Sequence, residues 1–357
     1  MSPASDLGPA LAPPASALAS VAPAIAALAL AVAADLAAGE PPSRLHPVAW
    51  FGSLVGRVDR EWSRPRLVGV AVAVALPLAA AATLGGLVAV AAEFGPRAAG
   101  SSVLAIAVAA VVLSASVSLR MLLDVTTDVV AATETDPAAA RESVRALVGR
   151  DPSALSPAEI RSAAVESATE NLADGFVAPL WWFAVGAAVG AVLDAFAAPT
   201  GAALSTSLVL PLGVSAAVWV KGVNTLDSML GYRTKPVGGA SARLDDLAMY
   251  LPARASAGCL AVAALSVGGS PIGVLRRARP WAREPASPNS GWPMATGAAA
   301  LGVRLEKPGN YALNPAVDPP TPADAERAAR LVAVGGGVAV AVAAGWLLAL
   351  SGVTAWL

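Results

Sequence analysis

The placement of charge constrains this chain more than any other feature of its sequence. All of its charged residues, 24 Lys and Arg and 25 Asp and Glu, lie outside seven apolar stretches. These stretches cover residues 7–34, 67–92, 98–119, 175–193, 195–220, 255–275 and 331–357. A helix needs about 20 apolar residues to cross a bilayer. We therefore predict an all-α, polytopic integral membrane protein with about five to seven spans, sizeable cytoplasmic loops and amphipathic helices.

The composition excludes several other classes of protein. Hydrophobic residues make up 56% of the chain and charged residues only 14%, whereas soluble domains carry about 25% charged residues. The net charge of -1 provides no field that would attract nucleic acid. Because Cys259 is the single cysteine and His46 the single histidine, neither a disulfide nor a His/Cys zinc site can form within the chain. Any bound metal would be an oxygen-liganded ion such as Mg²⁺.

The basic residues predict the orientation of the spans. Five of them follow the first stretch, one follows the second, five the third, none the fourth and five the fifth. Because short cytoplasmic loops are enriched in Lys and Arg, we predict that the N-terminus lies outside. Residues 119–174, expected to be helical, residues 221–254 and the proline-rich residues 276–330 would then be cytoplasmic. Residues 1–14 are predicted to be a disordered tail, and residues 1–357 a single membrane-embedded domain in the cell membrane.

The sixth stretch, residues 255–275, conflicts with this pattern. If it crossed the membrane, residues 276–330 with their eight basic residues would lie outside. The stretch consists largely of Ala, Gly and Ser and contains Pro271, so it offers few large side chains to lipid. Non-spanning backbone is tolerated at membrane depth when protein buries it. We therefore expect this stretch to be buried or re-entrant, which leaves six spans.

A row of carboxylates is predicted in the third connection. Ser156 and Glu159 fit a capping box with proline at the first helical position, and the helix is expected to run to Asp174, with Gly175 as its stop. Residues four apart share a face of such a helix, which groups Glu166, Glu170, Asp174 and the adjacent Asn171. This face could simply be solvated. Alternatively, it could collect Mg²⁺, which prefers carboxylates plus substrate phosphates.

The fifth connection carries a second polar face, directly after an apolar span. Lys221, Asn224, Asp227 and Ser228 follow one another at spacings of three and four, so they share one helix face. The ammonium group of a lysine at the end of a span often only extends to the membrane–water interface. Asn224 and Asp227 gain nothing from such an extension, which favours a polar cavity.

Three further polar groups accompany these two faces. Arg243, Asp245 and Asp246, with Arg254 after them, could form an ion-pair network or could bind phosphate or metal. The turn-rich loop of residues 279–293 offers Arg283, Asn289 and Ser290, and loops of this kind often carry binding groups. His46 could act as a structural hydrogen-bonding group, which is the more frequent role of a lone histidine, or as a proton-transfer group, which the ordinary histidine pKa near 6.5 suits.

Six polar blocks, taken in order, resemble the adenosylcobinamide-phosphate synthase family (CobD/CbiB). The blocks are GEP (39–41) with HPV (46–48), ESATENLADG (166–175), NTLDSMLGY (224–232), RLDD (243–246) with PAR (252–254), SPNSGWP (287–293) and ALGVR (300–304). The chain departs from the family pattern at Met249, where asparagine is frequent, so we assign no role to that side chain. The resemblance implies a multi-pass membrane enzyme of cobalamin biosynthesis. It would be an ATP-dependent amide ligase that couples aminopropanol, or its phosphate, to a corrin propionate of adenosylcobyric acid.

The resemblance also implies roles for the polar residues. ATP would be the co-substrate and Mg²⁺ the ion. The residues expected to handle Mg²⁺ or the amine are Glu166, Glu170, Asp174, Asp227, Asp245 and Asp246, with His46 as a candidate base. The residues expected to bind substrate are Asn171, Lys221, Asn224, Ser228, Arg243, Arg254, Arg283, Asn289 and Ser290. Homo-oligomerisation and association with other cobalamin-pathway enzymes both stay open.

Two other functions fit the residues without the resemblance. A Mg²⁺-dependent polytopic transferase would use aspartates near the span ends, but the chain offers only Asn224 and Asp227 in that arrangement. A secondary transporter would place charges at mid-membrane, whereas the charges here cluster at the span ends and beyond. On the residues alone, the prediction is a membrane enzyme or transporter with a cytoplasmic polar site.

Overall fold

The computed structural model describes residues 15–98, 100–145, 155–197, 206–232 and 234–354. The predicted tail at residues 1–14 lies outside this part of the chain. The helices in the first half are α1 Ala15–Ala38, α2 Pro47–Gly56, α3 Pro65–Phe94, α4 Val103–Ser114, α5 Leu119–Thr135, α6 Pro137–Val144 and α7 Pro157–Leu172. Those in the second half are α8 Ala178–Ala197, α9 Val209–Leu230, α10 Gly239–Ala248, α11 Tyr250–Ala263, α12 Pro271–Trp281, α13 Gly291–Leu301 and α14 Pro322–Thr354.

Strands play a minor part in the described chain. The pair β1 Arg97–Ala98 and β2 Ser101–Ser102 closes the connection between α3 and α4. The antiparallel pair β3 Leu305–Lys307 and β4 Tyr311–Leu313 forms a hairpin after α13. Seven helical segments are long and apolar enough to cross a membrane, namely Ala19–Ala38, Pro65–Phe94, Val103–Thr135, Pro157–Ala197, Val209–Leu230, Tyr250–Val267 and Pro322–Gly352. The predicted all-α, polytopic membrane fold is therefore confirmed.

The helix α7 begins as predicted but does not end as predicted. Ser156 caps it by accepting a hydrogen bond from the backbone N–H of Glu159, whose carboxylate accepts one from the backbone of Ser156 in return. Gly175 does not stop the helix, which continues through a π-helical turn at Ala173–Val177 into α8. The turn frees the Gly175 carbonyl, which accepts a hydrogen bond of 3.1 Å from the backbone N–H of Ser118. This long-range partner was not visible in the local sequence.

Residues 255–275 are not one helix either. The helix α11 continues as a 3-10 turn at Ala264–Val267, and Gly268 then adopts φ +82°, a left-handed conformation that favours glycine. The N-terminus of α12 follows at Pro271, capped by the Ser270 hydroxyl. The stretch therefore consists of two helices joined by a turn, and the expectation that it is buried or re-entrant stays a prediction.

The helices α8 and α9 pack against each other in opposite directions. Gly186 lies against Leu212, and Gly190 lies against Leu208. A Cβ atom at Gly186 would collide with the Leu212 carbonyl oxygen, so the small residue permits the close approach that is typical of membrane helices. The antiparallel contact brings the polar end of α9 alongside the α7–α8 junction.

The helix α14 runs parallel to α7 and α8. At its start, Arg161 on α7 donates a hydrogen bond of 2.9 Å to the Pro320 carbonyl. Further along, Gly335 packs against Leu172, and the next residue of α14 packs against Phe176. We call the side where α7 and α14 begin and α9 ends the near end of the bundle, and the opposite side the far end.

The packed interior holds one residue that departs from the family pattern. Met249 is 1% exposed and packs in a cluster with Ala173, Ala178, Val220 and Val223. It therefore joins the π-helical turn, α8 and α9 to the turn between α10 and α11. Its side chain is part of the core, and its position indicates no catalytic or binding role.

Candidate functional site

The candidate site is centred on Asn224, which faces two carboxylates from different helices. Its side chain hydrogen-bonds Asp174 in the π-helical turn and Asp245 on α10. An amide nitrogen carries two hydrogens, so one amide can donate to both carboxylates. The structure thus brings together three residues that the sequence placed in separate motifs.

Asp245 is the most unusual carboxylate of the group. Its Oδ1 is buried and has no hydrogen-bond partner among the described residues. Burial first, and then the nearby charges of Asp174, Asp227 and Asp246, together raise the pKa of Asp245 from 3.8 to about 8. A carboxylate with an unsatisfied buried oxygen and several acidic neighbours is suited to bind a cation.

The acidic group extends from Asp245 toward the end of α9. Asp227 lies close enough for its charge to act on Asp245 and on Asp246. Burial also raises the pKa of Asp246. In the part of the chain that the structure describes, no three Asp, Glu, His or Cys side chains are grouped as a ready-made metal site. A cation here would need additional ligands. This agrees with the coordination of Mg²⁺ in proteins, which usually combines one or two carboxylates with substrate oxygens.

Lys221 is the cation of this site. It is partly buried on α9, and its charge acts on Glu40 and on Asp174. The lysine lines a cavity of about 220 Å³. The polar residues that line the cavity are Glu40, Ser118, Asn171, Asp174, Lys221 and Asn224. The polar cavity predicted from the face of α9 is therefore present in the structure, with an ammonium group in its wall.

Glu170 lies on the same face of α7 as Asp174, one turn earlier. The charges that act on it come from Asp174, Glu166 and Lys307. Lys307 is on β3, at the start of the hairpin turn, and was not among the residues expected to take part. The dipeptide after it, Pro308-Gly309, signals a turn, but no local pattern indicates what the turn approaches.

Glu166, also expected to handle Mg²⁺, has partners for both of its oxygens. Its Oε1 accepts a hydrogen bond of 3.0 Å from Ser162, and its Oε2 accepts one of 2.6 Å from the Tyr311 hydroxyl. Ser162 in turn accepts a hydrogen bond from the backbone N–H of Glu306. These bonds attach the β3–β4 hairpin to α7 and so hold Lys307 beside Glu170.

His46 lies outside the cavity wall. It is 7% exposed and caps α2, where its Nδ1 accepts a hydrogen bond of 3.2 Å from the backbone N–H of Val48. Its Nε2 lies 3.7 Å from Oε2 of Glu40. The histidine therefore contacts a residue of the cavity wall, and Glu40 is the group through which it could influence the cavity.

The proline-rich loop is fixed to the site through Arg254. This guanidinium donates a hydrogen bond of 2.7 Å to Oδ1 of Asn289 and one of 3.2 Å to the Pro288 carbonyl. It also stacks on the Tyr250 ring at 3.7 Å. The Asn289 amide donates to the backbone carbonyl of Asp246, so the loop is tied to the acidic end of α10.

Of the remaining predicted residues, only Asn171 lines the cavity. Ser228 at the end of α9, Arg243 on α10 and Arg283 after α12 are exposed, and Ser290 stands before the first turn of α13. Asn171 lines the cavity, and its amide donates a hydrogen bond of 2.8 Å to Ser167. The exposed Arg243 and Arg283 do not line the cavity.

Comparisons with known proteins identify the family. The family described as CobD/Cbib protein matches residues 28–334. The chain is 34% identical to the probable cobalamin biosynthesis protein CobD of Methanothermobacter thermautotrophicus, over 80% of this chain and 84% of the relative. It is 34% identical to the cobalamin biosynthesis protein CobD of Rhodobacter capsulatus (82% and 88% covered) and 36% identical to that of Mycobacterium tuberculosis (78% and 79%). No solved structure matches the chain.

Proposed function

The chain belongs to the CobD/CbiB family of cobalamin biosynthesis proteins, and from this membership we propose that it is an amide ligase. Its substrates would be adenosylcobyric acid and aminopropanol or aminopropanol phosphate, with ATP as the source of energy. The product would be adenosylcobinamide or its phosphate. The single observation that supports a ligase at this site is the meeting of Lys221 with the carboxylates of Glu40 and Asp174 in one cavity.

The proposed chemistry needs an activated carboxylate. A carboxylate is a poor acyl donor, so ATP would convert the corrin propionate into an acyl phosphate. The amine would then attack the acyl carbon and displace phosphate, and its proton would pass to a base. Such a sequence requires positive charge around the transferred phosphoryl group and negative charge or a base around the amine. The cavity offers both, because Lys221 and Asp174 both line it.

The acidic side of the site fits Mg²⁺. The unpartnered oxygen of Asp245 and the carboxylates of Asp174 and Asp227 are hard oxygen donors of the kind this ion prefers. When bound, Mg²⁺ would neutralise the charge of the ATP phosphates. The Asn224 amide would orient two of these carboxylates, in the way that hydrogen-bonding partners orient metal ligands.

The other residues are assigned by their position. Lys221 would hold a phosphate or the corrin carboxylate, and Glu170 would handle the ammonium of the amine. Lys307 would balance the charge of Glu170. Arg254 would hold the proline-rich loop in place, and the exposed Arg243 and Arg283 would contact the polar side chains of the corrin.

The size of the cavity limits what can enter it. A space of about 220 Å³ can hold an amino alcohol phosphate or one propionate arm, but not a corrin ring. The corrin would therefore remain outside, at the near end, with one arm reaching inward. Because the connections at this end carry most of the basic residues, we propose that the near end faces the cytoplasm.

The test is an assay of the purified protein in detergent with adenosylcobyric acid, ATP, Mg²⁺ and either amine. Mass spectrometry should show a corrinoid heavier by the amide-linked amine, and omission of ATP should abolish it. Asp227→Ala should abolish product while the protein keeps its elution profile, whereas Asp128→Ala, an exposed carboxylate on α5, should not. No product from folded wild-type protein with either amine would contradict the proposal.

A further inference from the structure

We propose that, in the ligase reaction on which this assignment rests, Glu40 is the base that accepts a proton from the amine and His46 is a neutral donor that positions it. This differs from the expectation that the histidine itself would be the base. Two observations carry the assignment. Glu40 lines the cavity, and a hydrogen bond already occupies one ring nitrogen of His46.

Gly39 and Arg120 fix the backbone that carries Glu40. Gly39 adopts φ +68°, a left-handed conformation that favours glycine at the end of a helix. Its N–H donates a hydrogen bond of 2.8 Å to the Asp35 carbonyl. The guanidinium of Arg120 on α5 donates one of 2.6 Å to the Ala37 carbonyl in the last turn of α1. The chain therefore turns immediately after α1, and Glu40 follows in the cavity wall.

The hydrogen bonds of His46 define where its proton lies. Its Nδ1 accepts a hydrogen bond from the backbone N–H of Val48, and a ring nitrogen that accepts a hydrogen bond carries no proton. The proton of the neutral ring is therefore on Nε2, which lies 3.7 Å from Oε2 of Glu40. A second proton would have to occupy Nδ1 and would break the cap of α2. His46 is thus arranged to donate toward Glu40 and not to take a proton from the substrate.

The other carboxylates near the cavity have other partners. Both oxygens of Glu166 accept hydrogen bonds. Asp35 does not line the cavity, and its Oδ2 accepts a hydrogen bond of 3.1 Å from the backbone at the start of α5. Asp174 lines the cavity but bonds Asn224 on the acidic side of the site. Glu40 is the carboxylate that remains for the amine.

The surroundings of Glu40 suit the transfer of a proton. Lys221 lines the same cavity, and the charges of Lys221 and Asp35 both lie close enough to act on Glu40. Since 30% of the Glu40 side chain is exposed, a proton taken from the cavity can pass on to water. Glu170 does not line the cavity, so its charge can attract the ammonium group but its oxygens do not receive the proton.

The proposed step balances protons and electrons. One proton passes from the substrate ammonium to the Glu40 carboxylate, and the lone pair left on nitrogen forms the C–N bond with the acyl phosphate. The C–O bond to phosphate then breaks. Phosphate leaves with the electron pair of that bond and takes up a second proton from nitrogen. Glu40 finally releases its proton to water, which restores the carboxylate.

The first experiment separates proton removal from activation of the carboxylate. Wild type and Glu40→Gln are incubated with adenosylcobyric acid, ATP and Mg²⁺, and with aminopropanol, its phosphate or hydroxylamine. Hydroxylamine is largely unprotonated at neutral pH and reacts with acyl phosphates without a base. Glu40→Gln should form the amide about 100-fold more slowly than wild type but form the hydroxamate at a similar rate. Glu61→Gln, at an exposed glutamate between α2 and α3, should match wild type in both.

The outcomes of this experiment are distinguishable. Wild-type amide formation by Glu40→Gln would overturn the assignment, and an equal loss of both products would show that Glu40 acts before the amine does. Absence of both products from folded wild-type protein would instead contradict the ligase reaction itself. As a second readout, the gap between wild type and Glu40→Gln should narrow by about 10-fold per pH unit from pH 7 to 9, because the solution then supplies unprotonated amine. A constant gap would also overturn the assignment.

The second experiment separates the two roles of His46. In His46→Asn the amide oxygen can still accept from the Val48 N–H, because asparagine is a favourable N-cap residue, but the donor to Glu40 is lost. The thermal unfolding midpoint should stay near that of wild type. Amide formation should fall by about 10-fold, with no recovery at higher pH. An unchanged rate would remove His46 from the site, and a loss as large as that of Glu40→Gln with recovery at high pH would make the histidine the base.

Discussion

The amide of Asn224 on α9 donates a hydrogen bond to the carboxylate of Asp245 on α10. The same amide also bonds Asp174, so one neutral side chain orients two carboxylates from different helices. Replacement by alanine should leave both carboxylates without that donor. Hydrogen-bonding partners of metal ligands typically change metal affinity or activity by about 10- to 100-fold when they are removed.

We therefore expect Asn224→Ala to lower the rate of amide formation, and to raise the Mg²⁺ concentration needed for half-maximal rate, by about 10- to 100-fold. The matched control is Asn310→Ala, which removes an exposed amide from the β3–β4 turn. Titration of Mg²⁺ at saturating ATP measures both quantities. An unchanged Mg²⁺ requirement in Asn224→Ala would show that this amide orients no metal ligand.

The raised pKa of Asp245 predicts a pH-dependent stability of the metal-free protein. The pKa is about 8 in the folded protein against 3.8 for an unperturbed group, so the folded state binds a proton that the unfolded state releases. The stabilising effect of that proton is complete below about pH 4 and is lost as the pH rises toward 8. Asp245→Asn mimics the protonated form at every pH.

The thermal unfolding midpoint of Asp245→Asn in detergent with a chelator should therefore exceed that of the wild type by a margin that grows between pH 5 and pH 8. The margin should level off above pH 8. Asp128→Asn, at an exposed position on α5, provides the comparison and should show no such trend. A constant difference between Asp245→Asn and the wild type across this range would refute the assigned shift.

The bond between Tyr311 and Glu166 predicts a loss of stability. Tyr311→Phe removes the hydroxyl that donates to Oε2 of Glu166 at 2.6 Å, and loss of a hydrogen bond to a charged group costs about 1.5–3 kcal/mol. Thermal unfolding of the detergent-solubilised protein should reveal this cost. Tyr232→Phe, which removes an exposed hydroxyl, should be close to neutral. Equal stability of the two variants would mean that the Tyr311 hydroxyl does not hold the hairpin to α7.

Local patterns in the sequence predicted the parts of the fold that depend on local physics. The charge-free stretches correspond to apolar helices because burial in lipid requires uncharged side chains over a fixed length. The capping box at Ser156 and Glu159 formed because its hydrogen bonds join residues three apart. The stop expected at Gly175 was wrong because its carbonyl bonds Ser118, a partner 57 residues away in the chain.

The candidate site was predictable to a similar extent. Residues on one helix face, such as Lys221 and Asn224, follow from spacing alone and do line one cavity. The partners from other elements could not be predicted in this way. The bonds from Tyr311 to Glu166 and the approach of Lys307 to Glu170 join residues more than a hundred positions apart, and their geometry depends on how the hairpin packs on α7.

Lys221 gives the most direct test of the site. Its side chain lines the cavity, and its charge acts on Glu40 and Asp174. If its ammonium holds a phosphate or the corrin carboxylate during the reaction, Lys221→Met should lower kcat/KM for amide formation by about 100-fold or more, as expected for the loss of one preorganised electrostatic contact. The substitution preserves chain length and much of the side-chain volume, so the fold should persist.

Lys235→Met is the matched control for Lys221→Met. Lys235 does not line the cavity, and its Nζ forms an ion pair with Oδ2 of Asp59 at a distance of 2.6 Å. That variant should keep near wild-type turnover. Steady-state rates with ATP and each amine varied in turn would locate the effect, because loss of a phosphate contact raises the KM for ATP or lowers kcat. Wild-type kinetics in Lys221→Met would remove this lysine from the reaction and leave it as a counter-charge for Asp174.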